Sequence, residues 1–240
     1  MSEGPTDSSA RQARSQGLQV GLAVSIYGFS FGALAVVLGF SVGQTVALSL
    51  LMFSGASQFA FIGILAGGGP AAVGAAIAAS GMLGVRNGLY ALRLSPIIGP
   101  GFAKRAVAAQ ITIDESTAVA VAQSTLPAQR VGFWTTGLVL YAGWNLTTLL
   151  GALVGDQVGD VRAFGLDAVA AAAFLALLWP RLSSKEPLAI AGGAAALTII
   201  LVPFVPAGVP ILVVAIVAVG TALYRHRVAP QPPQPAKEEG

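Results

Sequence analysis

The chain has 240 residues, 55% of them apolar and only 10% charged, with no cysteine and a formal charge of +3. Soluble domains carry about 25% charged residues, so a water-exposed particle of this size is excluded, and disulfides and thiolate metal sites with it. The mean hydropathy of +0.78 makes the bilayer the natural solvent, and the 30 glycines suit helices that associate by close backbone approach.

A pI near 9.6 can signal nucleic acid. Here the Lys and Arg residues stand at helix ends and in loops rather than in a clustered stripe, so they read as topology signals. Residues 1–16 form a polar tail containing Arg11 and Arg14. They merge into a long apolar stretch without the short core and small-residue cleavage site of a signal peptide, so a cytoplasmic tail and a retained helix are expected.

A spanning helix needs about 20 mostly apolar residues, with roughly 17 as the minimum. That rule predicts spans near residues 17–40, 45–66, 71–92, 131–154, 164–179, 188–202 and 209–224. The separators are turn-like: Gly67-Gly68-Gly69-Pro70, residues 181–187, and the proline-rich 203–210. Tyr90, Trp179 and Tyr224 fall at span ends, where interfacial aromatics belong. Residues 228–240, rich in Pro, Gln and charge, are expected to be a disordered tail.

The expected fold class is therefore all-α: a polytopic transmembrane helix bundle of seven or eight spans, forming a single transmembrane domain over residues 17–227. Arg181 with Lys185, and Arg225 with Arg227, assign their segments to the cytoplasm, while Asp156 and Asp160 with Arg162 fit an outer loop. An inner N-terminus followed by three spans would leave Arg93, Lys104 and Arg105 outside. Two repairs are open. Either residues 101–126 also cross, carrying Asp114 and Glu115 into the membrane and giving two related groups of four spans, or one early segment is re-entrant. Some form of membrane entry for 101–126 is expected.

Small residues recur at helical spacing: Gly28 with Gly32, Gly39 with Gly43, Ser80 with Gly84 and Gly88, and Gly151 with Gly155 and Gly159. They read either as tight helix packing or, at Gly28–Gly32 and around Gly55 and Ser57, as interrupted helices lining a midplane cavity.

Four polar clusters lie between apolar runs. The first, Phe53-Ser54-Gly55-Ala56-Ser57-Gln58-Phe59, reads as interhelical glue or as a broken helix contacting a zwitterion. In the second, Arg86-Asn87, the arginine either snorkels to the interface or holds a carboxylate by a bidentate pair. In the third, Asp114-Glu115 opens a helix or supplies a coupling-ion or ammonium contact. The fourth is Trp144-Asn145 with Thr147 and Thr148. An enzyme is not expected. His226 is the one histidine and stands in the tail, so no intramembrane serine–histidine pair can form. Neither a Walker A sequence nor a zinc ligand set exists, and no cofactor is expected.

The runs Gly28-Phe29-Ser30-Phe31-Gly32-Ala33-Leu34-Ala35 and Phe53-Ser54-Gly55-Ala56-Ser57-Gln58-Phe59-Ala60 resemble the N-terminal motifs of AzlC-type permeases. The Arg86 segment, Asp114-Glu115, and Trp144 followed by Gly151-Ala152-Leu153-Val154-Gly155 stand in that family's order. The resemblance extends over about residues 17–224. It implies the large subunit of a two-component exporter of branched-chain amino acids in the bacterial inner membrane, with a small AzlD-type membrane subunit as partner. Asn87 stands where the family often has histidine, and Gly28 where it often has proline. Under this resemblance the expected substrate contacts are Gly55, Ser57, Gln58, Phe59, Arg86, Asn87 and Asn145. Phe31, Phe53 and Phe59 would supply an apolar pocket, Arg86 or helix amides the carboxylate contact, and Gln58, Asn145 or Asp114 the ammonium contact. A transporter or channel for another small solute, and a non-transporting membrane scaffold, are the competing readings.

Overall fold

The computed structural model describes residues 5–157, 175, 179, 182–205 and 209–228, and among these residues all regular structure is helical. The helices are α1 (Pro5–Val37), α2 (Val42–Leu51), α3 (Gly55–Gly68), α4 (Val73–Ile98), α5 (Phe102–Gln110), α6 (Asp114–Val121), α7 (Leu126–Gln157), α8 (Lys185–Leu201) and α9 (Val209–Val228); a 3₁₀ turn (Gly69–Ala72) links α3 to α4.

Helices α1 and α7 are the spine, and they run parallel. A Cβ placed on Gly17 would meet Thr136, one on Gly21 would meet Val139, and one on Gly28 would meet Thr147. Further along, a Cβ on Gly32 would run into the Thr148 carbonyl, one on Gly151 into the Phe29 carbonyl, and one on Gly155 into the Ala33 carbonyl. Only a residue without a side chain admits such an approach, so the small-residue spacing in these two helices is packing. Gly28 and Gly32 do not interrupt α1, which is helical throughout Pro5–Val37.

Two half-depth hairpins enter between the long helices from opposite ends. Ser41 starts α2 with a capping box: its Oγ accepts from the Gln44 amide, and the Gln44 side chain accepts from the Ser41 amide. Helix α2 descends until Ser49 donates to Thr148 (3.3 Å) and Leu50 O meets Tyr141 (3.2 Å). The chain turns at Met52–Ser54, and α3 climbs back so that Phe61 reaches Phe40. Helix α4 then doubles back along α3, placing Gly84 beside Ser57. Pro100 is flanked by Gly99 (φ +81) and Gly101 (φ +116), a left-handed turn that glycine alone adopts freely. From there α5 rises to place Gln110 against Leu50, and α6 returns until Val119 packs on Gly132. A long helix followed by a half-depth hairpin thus occurs twice, the second time inverted.

This architecture resolves the charge problem of the first half. Arg130 Nε donates to Ile97 O (2.7 Å), Arg105 Nε to Gly99 O (3.0 Å), and Gln123 Nε2 to Gln16 Oε1 (3.0 Å). Arg11, Arg14, Arg93, Lys104, Arg105 and Arg130 therefore share one end, which the positive-inside rule assigns to the cytoplasm. Segment 45–66 does not cross, and segment 101–126 enters without crossing.

The described residues do not confirm the expected count of seven or eight spans. Among the described residues three stretches are long and apolar enough to cross a membrane: Ser8–Val37, Gly55–Ile98 and Leu126–Gln157. The second of these is the α3–α4 hairpin, and α4 is its full-length arm. Helix α8 buries none of its side chains, and α9 touches α4 through Leu212. Apart from residues 175 and 179, the expected span 164–179 lies outside the described residues, as do the loop residues Asp160, Arg162 and Arg181 and the tail from residue 229 on; the expected two groups of four spans rest in part on those positions.

Two outcomes follow. Gly151→Ala should lower stability by about 1–3 kcal/mol through overpacking, whereas Gly74→Ala, whose Cβ would meet nothing within 4 Å, should gain about 0.5–1 kcal/mol from helix propensity; thermal unfolding in detergent reads both signs. Because the chain has no cysteine, single Gly67→Cys and Lys104→Cys variants should react with an impermeant thiol reagent from opposite membrane faces.

Candidate functional site

The tips of the two hairpins meet at mid-depth, where backbone polar groups freed from helix bonding need partners. Leu50 O accepts from both Gln110 Nε2 (2.8 Å) and Tyr141 Oη (3.2 Å), joining one tip to the other and to α7. Ile111 O accepts from Ser116 Oγ (2.8 Å), which in turn accepts from the Ile113 amide (3.1 Å).

Beside this junction lies a first cavity of about 110 Å³, walled by α1 (Val24, Tyr27), the α3 start (Phe53 to Ala56), Arg86, the α6 start (Ile113 to Glu115) and α7 (Leu140, Trp144). Its polar groups converge. No side chain caps the N-terminus of α3, so the first amides of that helix face the cavity with the positive end of the helix dipole. Helix α6 also points its N-terminus there, with Asp114 and Glu115 in its first turn opposing the dipole charge.

Arg86 and Asp114 form an ion pair across the cavity wall, Nη1 to Oδ2 at 2.7 Å, with side chains 30% and 22% exposed. Arg86 therefore does not simply snorkel; α4 carries it to the α6 tip. Its Nε is buried without a hydrogen-bond partner among the described residues.

A second cavity, about 390 Å³, lies on the other side of the α3 start. It is walled by Leu51 to Ser54 and Ser57, by Ile77, Ser80, Gly81, Gly84 and Asn87 on α4, and by Ala109 and Gln110 on α5. Asn87 Oδ1 is buried without a hydrogen-bond partner among the described residues.

The expected site residues thus separate. Gly55, Arg86, Asp114 and Glu115 come together at the first cavity, while Ser57 and Asn87 line the second. Gln58 is wholly buried and lines neither. Its Oε1 accepts from Trp144 Nε1 (3.0 Å) and its Nε2 donates to Ser49 O (3.5 Å), so its amide braces α2, α3 and α7 together. Phe59 packs edge-on against Phe31 at 5.6 Å in the core, away from both cavities. Asn145 donates to Tyr141 O (2.8 Å) on its own helix.

Of the three phenylalanines expected to form a pocket, Phe53 alone lines one. Its apolar neighbours are Val24, Leu140 and Trp144. The indole rests on Gly55, where a Cβ would lie 3.0 Å from the ring. Val24 and Leu140 carry no sequence signal that separates them from ordinary lipid-span residues. Gln110 offered a faint one, a polar residue inside an apolar run.

The pairing of Arg86 with Asp114 is testable. In a double-mutant cycle, the separate effects of Arg86→Met and Asp114→Asn should add up to more than the effect of the double variant, by a coupling of about 1 kcal/mol, below that of a fully buried pair because both groups are partly exposed. Thermal unfolding of the four proteins in one detergent measures it.

The AzlC family model, described as "AzlC protein", matches residues 19–158, which include both hairpins and the first cavity. An uncharacterized membrane protein of Archaeoglobus fulgidus is 31% identical over 188 residues, covering 75% of this chain and 80% of its own. No solved structure matches significantly.

Proposed function

This chain is a membrane protein of the AzlC family, and from that premise we propose that it is a permease exporting branched-chain amino acids across the bacterial inner membrane, working with a small AzlD-type subunit. The observation that carries the reading is the first cavity: complementary charges and free helix amides on one side, and apolar walls on the other, at mid-depth.

A zwitterion needs an anion contact and a cation contact a few ångströms apart. Arg86 Nε and the first amides of α3 suit a carboxylate; a charge-assisted hydrogen bond at such a place contributes about 1.5–3 kcal/mol. Asp114 and Glu115 suit an ammonium group, with Asp114 already oriented by Arg86. The aliphatic side chain then meets Val24, Phe53, Leu140 and Trp144. Broken helices whose N-termini point at an anionic group are a recurrent transporter device. Gln58 serves this site by position, fixing the Trp144 indole through Nε1.

Cells preloaded with radiolabelled leucine, isoleucine, valine and methionine should lose them faster when the chain and the small subunit are expressed together. Arg86→Ala should reduce that efflux by about ten-fold or more, the equivalent of one charge-assisted hydrogen bond. Normal efflux by Arg86→Ala would remove the carboxylate assignment. Absence of efflux for all four amino acids, with the protein confirmed in the membrane, would redirect the reading to another small solute.

A further inference from the structure

The two cavities share one wall. Phe53 and Ser54 line both of them, and no other described residue does. On α4 the neighbours Arg86 and Asn87 divide between them, Arg86 facing the first and Asn87 the second. The second cavity then follows α4 from Asn87 to Ile77, a rise of about 15 Å toward the end bearing the Gly69–Ala72 turn. The first cavity stays at the depth of Tyr27, Leu140 and Trp144.

Size makes the wall matter. Small-molecule sites usually occupy about 300–1,000 Å³. The first cavity, at about 110 Å³, has the binding chemistry but little room. The second, at about 390 Å³, has room and a few neutral polar groups.

The wall lies between two anchored points. Leu50, just before it, is fixed by Gln110 and Tyr141. Gln58, just after it, is fixed by Trp144. Between them the backbone leaves helical geometry at Met52 (φ −106, ψ 66) and Ser54 (φ −159, ψ 101). The local bonds there are Ser54 N to Met52 O (2.7 Å) and the Ser54–Ser57 hydroxyl pair (3.0 Å). The Phe53 ring, 7% exposed, stands edge-on to Tyr141 at 4.9 Å and closes the space between the two cavities.

We propose that the two cavities are compartments of one solute path, the second on the outer side, and that Phe53 with Ser54 is the gate between them. This rests on the reading of the chain as a permease, but not on the identity of its substrate. Asn87 Oδ1, without a partner among the described residues, and Ser57 then form the outer station, where they accept hydrogen bonds from a solute donor group.

The chain's lack of cysteine allows a direct test in oriented membrane vesicles carrying the full chain with its small subunit. Gly81→Cys, at the second cavity where a Cβ meets nothing within 4 Å, should react with an impermeant methanethiosulfonate reagent added at the outer face. Val24→Cys, in the first cavity, should react slowly from that face, and about ten-fold faster once Phe53→Ala is added, as when a rarely open state becomes the main one.

Gly81→Cys reactivity serves as the fold control. If Phe53→Ala alters it, Phe53→Leu is read by the same criterion. A Val24→Cys rate indifferent to Phe53, or a Gly81→Cys site unreactive from outside, overturns the gate. Labelling requires no transport, so a failed efflux assay with the labelling pattern intact would reject the amino-acid reading and leave the path standing.

Discussion

A bilayer offers no water to a backbone amide or carbonyl, so each one freed by a helix break must find a partner inside the protein or line a polar cavity. This chain breaks its helices twice at mid-depth, and the surrounding structure supplies the partners. Leu50 O takes Gln110 and Tyr141, Ile111 O takes Ser116, and Ser49 O takes Gln58. Each of these donors comes from a different place in the chain or from the opposite side of a turn. The hairpin tips are consequently tied to one another and to α7, and the amides left over at the start of α3 face the first cavity. A structural obligation of the membrane thereby creates the polar surface that a solute can use.

The tips can only meet if something holds the long helices in fixed register, and the α1–α7 contact does so. Gly28, Gly32, Gly151 and Gly155 bring backbone against backbone. Between them Thr147 Oγ1 donates across to Ser25 O (2.5 Å). Such an interface draws on dispersion and polar contact rather than on the hydrophobic effect, which is weak between apolar helices already in lipid. It has little freedom to slide, because each carbonyl sits where a side chain would otherwise be.

Much of this was legible in the sequence, and the reasons for the remainder are specific. Composition fixed the solvent, and the glycine spacing in α1 and α7 marked the interface residues, although spacing alone could not tell packing from a helix break. The break was legible at Ser54-Gly55, where polar residues crowd an apolar run. Length and hydropathy alone do not separate a half-depth hairpin from one full span, because the two have the same values of both. Residues 45–66 and 101–126 each satisfy the length rule while folding back at their middles. The stranded cations Arg93, Lys104 and Arg105 carried the correction, since a single re-entrant segment on the outer side brings them inside.

Gln58 illustrates the limit of reading polar residues in apolar segments as ligands. A buried amide is expensive unless satisfied, and a sequence gives that expense without saying who meets it. Here Trp144 and Ser49 meet it, which makes Gln58 the brace behind the site. Arg86 is the opposite case. Its Nη1 is satisfied by Asp114, but its Nε is left without a partner at the cavity. The distinction between the two residues lies in where the neighbouring tips end, and that is fixed by long-range pairing between segments about 30 to 90 residues apart, which no local pattern encodes. The chemistry of the site is thus a property of the two hairpins together: α3 contributes the amides, α4 the guanidinium that reaches across, and α6 the carboxylates, and none of them forms a site without the other two.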